Sequence, residues 1–458
     1  MKYRLLTHGG YGAIYVDASR NIICKRLPRF EESTRMLMYS TIVELVMTAL
    51  VHAFPGAPRV NSIVIEADYA VIYMQHHGQT LKKYLESAVS SDPVMRAPNA
   101  YKIIRSLVIT LLHLKRAGVL HTDIKPCNVL IDGDVTSLID YNCAAVAEVS
   151  YLDGTGNGYA RYVEAMGTFN YAAPELLFSG RPSPTSCVWS LALLACVLFA
   201  DEFPMPTSLT HDGNNKWRAT AKEWKDVFKQ QQGSATLVVP SQIMQAMGDD
   251  FRLAAWVTRA LSWEPAARPT LEEIAASMGG GEGGCEALVI YEPLAMSNLT
   301  RENRVRAIDR FYNLACDTRT QAWFATAVYL LDLLVCDICV EEFCVACWIL
   351  SGLLHNEYVL DNSGVMTRLS YYFKVVPTNV APRVWQLASA AHWNVWARPL
   401  DVILIEDYGW CVKFYELKLL MAAIDRPWTP SSYASTIALK ACVCREISIR
   451  KSELRIQK

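Results

Sequence analysis

The sequence has little charge and no long hydrophobic run. Lys, Arg, Asp and Glu make up 19% of its 458 residues, and the formal net charge at pH 7 is −1. This balance does not favour a broad nucleic-acid-binding surface, and a hydrophobic content of 52% is not typical of a disordered chain. The longest apolar runs, Val188–Ala200 and Ala322–Val335, are shorter than the roughly 20 residues that a membrane-spanning helix needs. We therefore expect a globular protein that binds neither nucleic acid nor membrane.

The amino terminus, MKYRLLTHGG, lacks the apolar core of a secretory signal peptide. We therefore expect an intracellular protein, in the cytoplasm, the nucleus or both, and not a secreted one. Its 14 cysteines would then lie in a reducing compartment, mostly as small buried hydrophobic residues.

Four cysteines form two neighbouring C-x-x-C pairs, namely Cys336, Cys339, Cys344 and Cys347. Such pairs are found in zinc sites, but the residues between these two pairs are too few for a usual zinc ribbon. The surrounding stretch VCDICVEEFCVACWIL has helical periodicity and no turn glycine. We favour a buried helix over a metal site.

The clearest domain boundary is GGGEGG, Gly279–Gly284, because five of its six residues are glycine and cannot hold a regular element cheaply. The chain is also longer than the size at which one hydrophobic core keeps growing. We predict domains at residues 1–278 and 285–458, joined by the linker 279–284.

Hydrophobic periodicity predicts a different architecture on each side of this linker. The first part begins with short strand patterns and continues with helices such as Tyr101–Ala117. The predicted strands are Tyr3–Thr7, Ala13–Asp17, Ile22–Leu27, Ser62–Ile65 and Ala70–Met74. After the linker the pattern is helical, from Asn303 through Leu354 and from Ala381 to Asp407. The expected fold class is α+β: a small β-rich lobe, a larger helical lobe and then an all-α domain.

The strongest chemical signal is HTDIKPCNVLIDGDVTSLIDYN, residues 121–142. Phosphoryl transfer needs a carboxylate near the attacking hydroxyl, a cation near the γ-phosphate and oxygen ligands for magnesium. The stretch resembles the loops of the eukaryotic protein kinase family, whose motifs are H-R-D-x-K-x-x-N and D-F-G. By that resemblance Asp123 is the catalytic base and Lys125 contacts the γ-phosphate. Asn128 and Asp140 are the implied magnesium ligands, and ATP and Mg²⁺ the implied cofactors.

Upstream motifs resemble the ATP-binding part of the same family. THGGYGAIYV resembles the glycine-rich loop, with Gly9 and Gly12 at two of the three glycine positions and Thr7 at the other. IICK then places Lys25 towards the end of the next predicted strand, Ile22–Leu27, and Glu44 follows nineteen residues later in a helical pattern. The resemblance implies a Lys25–Glu44 ion pair that positions the α- and β-phosphates.

Downstream, GTFNYAAPELL resembles the end of the family's activation segment. Ala173–Glu175 matches A-P-E, and Arg268 in LSWEPAARPT matches the arginine that pairs with its glutamate. Thr168 stands where Ser/Thr kinases of the family keep a threonine beside the catalytic base. The resemblance therefore implies Ser/Thr protein substrates.

Three further motifs depart from the family pattern, at four positions. Thr122 replaces the arginine of H-R-D, which implies that activation does not depend on a phosphorylated loop. Tyr141 and Asn142 replace Phe and Gly of D-F-G, and because Asn tolerates left-handed backbone angles better than most residues, we expect the turn to survive. Cys187 stands where an aspartate usually braces the catalytic loop.

The segment between Asp140 and Glu175 is also longer than usual and includes DGTGNGY, residues 153–159, which we predict to be a loop. The altered motifs are similar to those of divergent virus-encoded kinases, including those of large DNA viruses. They leave a pseudokinase open as an alternative.

The part after the linker resembles the opening helices of a cyclin box. Arg306 and Phe311 match its first helix, and AVYLLDLLV, Ala327–Val335, matches A-V-x-L-L-D-R-F-L. A second match is HWNVWARPLDVIL, His392–Leu404. An unspecified helical bundle is the alternative.

The two resemblances together imply a Ser/Thr kinase, similar to cyclin-dependent kinases, that its own fused cyclin-like domain holds active through an intramolecular contact. The alternatives are a pseudokinase scaffold and a kinase with an unrelated helical docking domain.

Overall fold

The structure of the protein is a computed structural model. The residues that it describes are 3–9, 12–17, 19, 21–30, 38–52, 54, 57–75, 78–86, 93–150, 159–162, 167–168, 170–200, 204, 226, 235–247, 251–278, 297–355, 363–393, 395–406 and 413–423. The predicted glycine linker and residues 153–158 of the predicted loop lie outside these ranges.

The chain folds as two compact units that are each built from separate stretches of sequence. The first contains Met1–Pro28, Val51–Ala145 and Tyr162–Val289, and the second contains Arg29–Leu50, Val146–Arg161 and Ile290–Lys458. Two stretches that precede the glycine linker therefore belong to the second unit. The domain limits at 278 and 285 stay a prediction.

The first unit begins with a five-stranded antiparallel sheet of order β1-β2-β3-β5-β4. Its strands are β1 (Arg4–Gly9), β2 (Gly12–Asp17), β3 (Ile22–Pro28), β4 (Val60–Ile65) and β5 (Tyr69–Gln75). Each confirms a strand predicted from the sequence. Gly12 starts β2 with φ of 154°, and a Cβ atom there would collide with the backbone carbonyl of Arg26, so this position requires glycine.

Helices dominate the rest of the first unit. They are α2 (Leu81–Leu85), α3 (Pro93–Arg116), α4 (Pro174–Ser179), α5 (Pro184–Ala200), α6 (Ser241–Ala246), α7 (Phe251–Ala260) and α8 (Leu271–Ser277). Helix α5 is apolar on every face and is buried along nearly its whole length, which makes it the centre of the helical core. A β-rich part followed by a helical part agrees with the predicted bilobal architecture.

Short strands connect these helices and carry the candidate site. They are β6 (Gln79–Thr80), β7 (Val119–Leu120), β8 (Val129–Asp132) and β9 (Val135–Leu138), with a 3₁₀ turn at Pro126–Asn128 just before β8. Strands β6, β8 and β9 form one antiparallel sheet. The loops that follow β7 and β9 contain Asp123 and Asp140.

The second unit contains helix α1 (Tyr39–Val51) up to Leu50, strand β10 (Ala145–Ser150) from Val146 and strand β11 (Tyr159–Tyr162) up to Arg161. It also contains the carboxyl-terminal helices. Between residues 297 and 423, the described part of the chain forms seven helices and no strand. They are α9 (Arg301–Thr318), α10 (Gln321–Leu333), α11 (Val340–Leu354), α12 (Ser363–Phe373), α13 (Pro377–Ala390), α14 (Leu400–Glu406) and α15 (Phe414–Ala423).

An aromatic cluster fills the core of these helices. Phe311, fully buried on α9, has its ring centroid 5.1 Å from that of Trp348 and 5.7 Å from that of Phe373. Beside it, Arg304 forms a buried bidentate ion pair with Asp332, the aspartate of AVYLLDLLV, with Nη2 2.8 Å from Oδ2. Arg306, the arginine that the sequence matched to the cyclin pattern, instead pairs with Glu302 at the surface.

Two helical predictions need correction. Helix α11 begins only at Val340, with the Cys339 sulfur capping the Glu342 N–H, so residues 335–339 are a connection and not helix. Cys344 and Cys347 do lie buried in α11. The pattern from Ala381 to Asp407 is broken between α13 and α14, where His392 and Trp393 adopt left-handed φ values of 52° and 64°. None of the described helices is long and apolar enough to cross a bilayer.

Candidate active site

Asp123 lies in the loop between β7 and the 3₁₀ turn at Pro126–Asn128 and is only 5% exposed. Three side chains surround its carboxylate. Lys125 Nζ is 2.7 Å and Asn128 Nδ2 3.0 Å from Oδ2, while the Thr168 hydroxyl and backbone N–H donate to Oδ1 at 2.7 and 2.9 Å. The Asn128 amide also donates to the Asp123 carbonyl at 2.9 Å. The structure thus gathers Asp123, Lys125, Asn128 and Thr168 at one point.

These contacts set the charge of the Asp123 carboxyl. Burial by itself raises its pKa, but the charge and hydrogen bond of Lys125 and the hydroxyl of Thr168 together bring that pKa below its usual value. Asp123 is therefore an ionised carboxylate at neutral pH. An ionised, oriented carboxylate can accept a proton from a hydroxyl placed beside it.

Asp140 lies after β9 and takes the left-handed backbone conformation, with φ of 71°. Its Oδ1 accepts a hydrogen bond from Lys25 Nζ at 2.8 Å, which joins strand β3 to this loop. The side chain of Lys25 is 12% exposed and that of Asp140 31%, so the carboxylate stays accessible. A turn is present after Asp140, as expected, since the Ala144 N–H donates to the Tyr141 carbonyl at 2.9 Å. Asn142 is not among the residues with positive φ, so this turn does not use the left-handed conformation at that position.

The other predicted ATP-binding residues lie on the first sheet and on α1, outside the loops that contain Asp123 and Asp140. Gly9 and Gly12 face each other in the register of the β1–β2 pair, at the end where the hairpin turns. Glu44 is on α1 and only 2% exposed, and it belongs to the second unit. The Lys25–Glu44 pair stays a prediction.

Cys187 and Thr122 support the catalytic loop in ways that the sequence alone did not reveal. The backbones of Thr122 and His121 hydrogen-bond to the Cys187 thiol, although burial dominates and raises the pKa of that thiol to about 11. Cys187 therefore contacts the loop that the missing aspartate was expected to brace. Thr122, at φ of 58°, donates its hydroxyl to the Cys143 carbonyl at 2.5 Å. A Cβ on Gly167 would collide with the Thr122 carbonyl, so glycine is required there.

The loop is also packed against the residue that replaces the phenylalanine of D-F-G. The Tyr141 ring contacts the His121 imidazole edge-on at 4.9 Å between centroids, and the Tyr141 hydroxyl donates to the Leu138 carbonyl at 3.0 Å. Nε2 of His121 lies 3.0 Å from the Ile139 carbonyl, and burial lowers the pKa of this imidazole. His121 is thus a neutral side chain that links the Asp123 loop to the Asp140 loop.

The predicted ion pair between Glu175 and Arg268 is confirmed. Arg268 Nη1 and Nη2 lie 2.7 and 2.8 Å from the two oxygens of Glu175, and the Arg268 side chain is fully buried. Ser186 adds a hydrogen bond to Glu175 at 2.5 Å. The pair fixes α4 to the segment after α7, and so anchors the end of the chain segment that begins at Asp140.

Two oxygen atoms at the site are of the type that binds a divalent cation. Both described hydrogen bonds of the Asn128 side chain use its amide nitrogen, and within the described part of the chain none uses its amide oxygen. Likewise, the described hydrogen bond from Lys25 to Asp140 uses Oδ1. One amide oxygen and one carboxylate oxygen are hard ligands of the type that Mg²⁺ prefers.

Comparison with known proteins gives a consistent result. A family model described as a protein kinase domain matches residues 3–278. The chain is 27% identical over 214 residues to the serine/threonine-protein kinase mos of Patiria pectinifera, covering 43% of this chain and 56% of that protein. It is 31% identical over 162 residues to the serine/threonine-protein kinase cds1 of Schizosaccharomyces pombe, covering 34% of this chain and 33% of that protein. It is also 26% identical over 176 residues to the serine/threonine-protein kinase BIK1 of Arabidopsis thaliana, covering 37% and 41%. The chain thus spans at most 56% of these relatives.

Proposed function

The chain belongs to the protein kinase family, and we propose that it transfers the γ-phosphate of ATP to Ser or Thr hydroxyls of protein substrates. The observation that carries the proposal is the arrangement around Asp123, a buried and ionised carboxylate within hydrogen-bond distance of Lys125, Asn128 and Thr168.

Asp123 is the proposed base. As the substrate hydroxyl oxygen bonds to the γ-phosphorus and the bond to ADP breaks, the hydroxyl proton moves to the Asp123 carboxylate. Lys125, which lies between Asp123 and Thr168, contributes positive charge where the transferred phosphoryl group carries negative charge. Thr168 fixes the orientation of both side chains.

Asp140 and Asn128 are the proposed ligands of Mg²⁺, and Gly9, Gly12 and Lys25 the proposed contacts to the phosphates of ATP. Mg²⁺ would supply charge neutralisation of these phosphates. The Lys25–Asp140 contact holds the carboxylate in a fixed position. Glu44 is the proposed partner that completes the orientation of Lys25.

The Ser/Thr preference is supported by Thr168, whose hydroxyl touches both Asp123 and Lys125, and by the relatives above, whose names identify them as Ser/Thr kinases. We also propose that the carboxyl-terminal helices are cyclin-like and hold the kinase active, as in cyclin-dependent kinases. The altered motifs favour a virus-encoded, herpesvirus-like source. The amino terminus, which lacks the apolar core of a signal peptide, favours an intracellular site of action.

Two observations on the second unit support an activating role for these helices. Helix α1, which contains Glu44, belongs to this unit. Arg29, on the connection that leads from β3 to α1, places its guanidinium 4.7 Å from the ring centroid of Trp385 on α13. Helices that share a unit with α1 and contact the connection before it are placed to set the position of Glu44.

The test of catalysis is a phosphate-transfer assay on the full-length purified chain with Mg²⁺ and ATP. We expect autophosphorylation on Ser and Thr, mapped by mass spectrometry, and its loss in Asp123→Asn. Asp134→Asn is the matched control, since Asp134 is exposed and pairs with Lys102 at the surface. Equal transfer by wild type and Asp123→Asn would exclude Asp123 as the base. ATP binding without transfer in the wild type would favour a pseudokinase scaffold.

The activating role of the carboxyl-terminal helices needs a separate test. A protease site placed in the linker 279–284 allows the two parts to be separated after folding. We expect the activity of the cut protein to fall on dilution, because cleavage removes a tether worth an effective concentration of about millimolar. The uncut protein is the control. Activity that survives removal of residues 285–458 would instead favour an unrelated docking domain.

A further inference from the structure

Three buried polar side chains form a hydrogen-bonded chain within the second unit. His355 Nδ1 lies 3.2 Å from Glu148 Oε2, and His355 Nε2 lies 3.0 Å from the Thr326 hydroxyl. Glu148 is 5%, His355 2% and Thr326 1% exposed. Glu148 is on β10, His355 ends α11, and Thr326 is on α10, so one imidazole links a strand to two helices.

The order hydroxyl, imidazole, carboxylate is also that of a hydrolytic triad, but no such activity fits here. Thr326 is buried in the middle of α10, so no substrate carbonyl can reach its hydroxyl. The Trp396 ring packs edge-on against His355, with 6.0 Å between centroids. The three side chains therefore hold structural elements together.

The hydrogen-bonding chemistry of Glu148, His355 and Thr326 determines how the three side chains pair. The Glu148 carboxylate only accepts hydrogen bonds, so Nδ1 of His355 must carry the proton that points to it. Nε2 of His355 shares a hydrogen bond with the Thr326 hydroxyl. Each group has a partner, and removal of one leaves a buried polar atom unsatisfied, which is costly.

The position of Glu148 in the sequence shows which segment the hydrogen bond to His355 holds. Glu148 lies eight residues after Asp140, near the start of the segment that ends at Glu175. The far end of that segment is anchored by the Glu175–Arg268 pair. The near end is attached to α11 through His355, from a residue 207 positions away in the sequence.

We infer that Glu148 and His355 are positioning residues, which hold the segment after Asp140 in the conformation that phosphate transfer requires. This inference rests on the proposed kinase function. It adds a second point of control by the carboxyl-terminal helices, separate from α1 and Glu44.

The test compares Glu148→Ala with Thr326→Val in the full-length chain. Both remove one hydrogen bond of His355, but only the first frees β10. We expect kcat to fall about tenfold or more in Glu148→Ala, since small displacements of catalytic groups are costly, with KM for ATP unchanged. Thr326→Val should lose stability and keep kcat. Glu148→Gln, whose amide oxygen still accepts from Nδ1, should restore most of kcat.

A second measurement is independent of activity. Hydrogen exchange of amides 140–150 should be faster in Glu148→Ala than in wild type and unchanged in Thr326→Val. If Glu148→Ala does not fold, Glu148→Asp replaces it in both measurements, since it shortens the side chain by only one methylene group. We expect it to lower kcat and to speed amide exchange in the same direction, by a smaller amount. Unchanged exchange in the Glu148 variants, or kcat losses that track the stability loss in all variants, would overturn the inference. If wild type transfers no phosphate, the kinase proposal fails while the exchange data still decide whether this link holds the segment.

Discussion

Lys25 Nζ lies 2.8 Å from Oδ1 of Asp140, a residue 115 positions later in the chain. This contact joins a strand of the amino-terminal sheet to the loop that contains the proposed magnesium ligand. In the proposed function, a cation and an oxygen ligand fixed to each other in this way would present both charges to the same nucleotide.

Substitution of Lys25 by Met should therefore lower kcat/KM for ATP by about 10²- to 10³-fold, the usual effect of removing one preorganised donor. The neighbouring Arg26→Met is the matched control, because Arg26 pairs with Glu66 at the surface and should leave transfer unchanged. A steady-state assay of both variants checks this, and equal activities would contradict the role of Lys25.

Thr168→Val should shift the acid limb of the pH profile of kcat/KM to higher pH. The Thr168 hydroxyl is one of the groups that lower the pKa of Asp123, so its removal raises that pKa, and the base is then protonated at a higher pH than in wild type. Activity is lost as pH falls through the pKa of Asp123, so the variant should fail first on acidification. Thr168→Ser keeps the hydroxyl and should keep the wild-type acid limb. An unmoved limb in Thr168→Val would show that Asp123 is not the group that titrates.

Arg304→Met should destabilise the second unit by about 3–5 kcal/mol, because it leaves the Asp332 carboxylate buried without its partner. Arg306→Met, two residues along the same helix, removes only a surface pair with Glu302 and should change the free energy of unfolding by less than about 1 kcal/mol. Denaturant unfolding followed by tryptophan fluorescence measures both. Similar effects of the two substitutions would contradict the buried pair.

Thiol reagents should distinguish two groups of cysteines in the native protein at pH 8. Cys127, Cys316 and Cys339 are exposed and should react first. Cys187, whose pKa burial raises to about 11, has a thiolate fraction of only about 10⁻³ at this pH. Cys196 and Cys344, with pKa values raised by burial to about 12, should be equally inert until the chain unfolds. Peptide mapping after timed alkylation gives the order, and early labelling of Cys187 would contradict its burial.

Local patterns in the sequence predicted much of the fold and the loop that contains Asp123. Alternating hydrophobicity located all five strands of the first sheet, because the period of a half-buried strand is visible in the residues themselves. The spacing of Asp123, Lys125 and Asn128 within one short loop likewise let the sequence group them before their contacts were known.

Features that depend on distant partners could not be predicted in this way. Asn and Asp both tolerate a left-handed backbone, so local propensity does not indicate that Asp140 adopts it and Asn142 does not. Residues 335–339 share the apolar character of α11 but lie before its cap at Cys339. Nothing in either local sequence indicates that Glu148 meets His355.

The interleaving of the two units in sequence has a consequence for the order of synthesis. Helix α1 and strand β10 leave the ribosome long before α10, α11 and α13, with which they share the second unit. Until those helices emerge, Glu148 cannot form its buried hydrogen bond with His355. Such late closure over long stretches of chain slows folding and prolongs the time in which a nascent protein needs protection from aggregation.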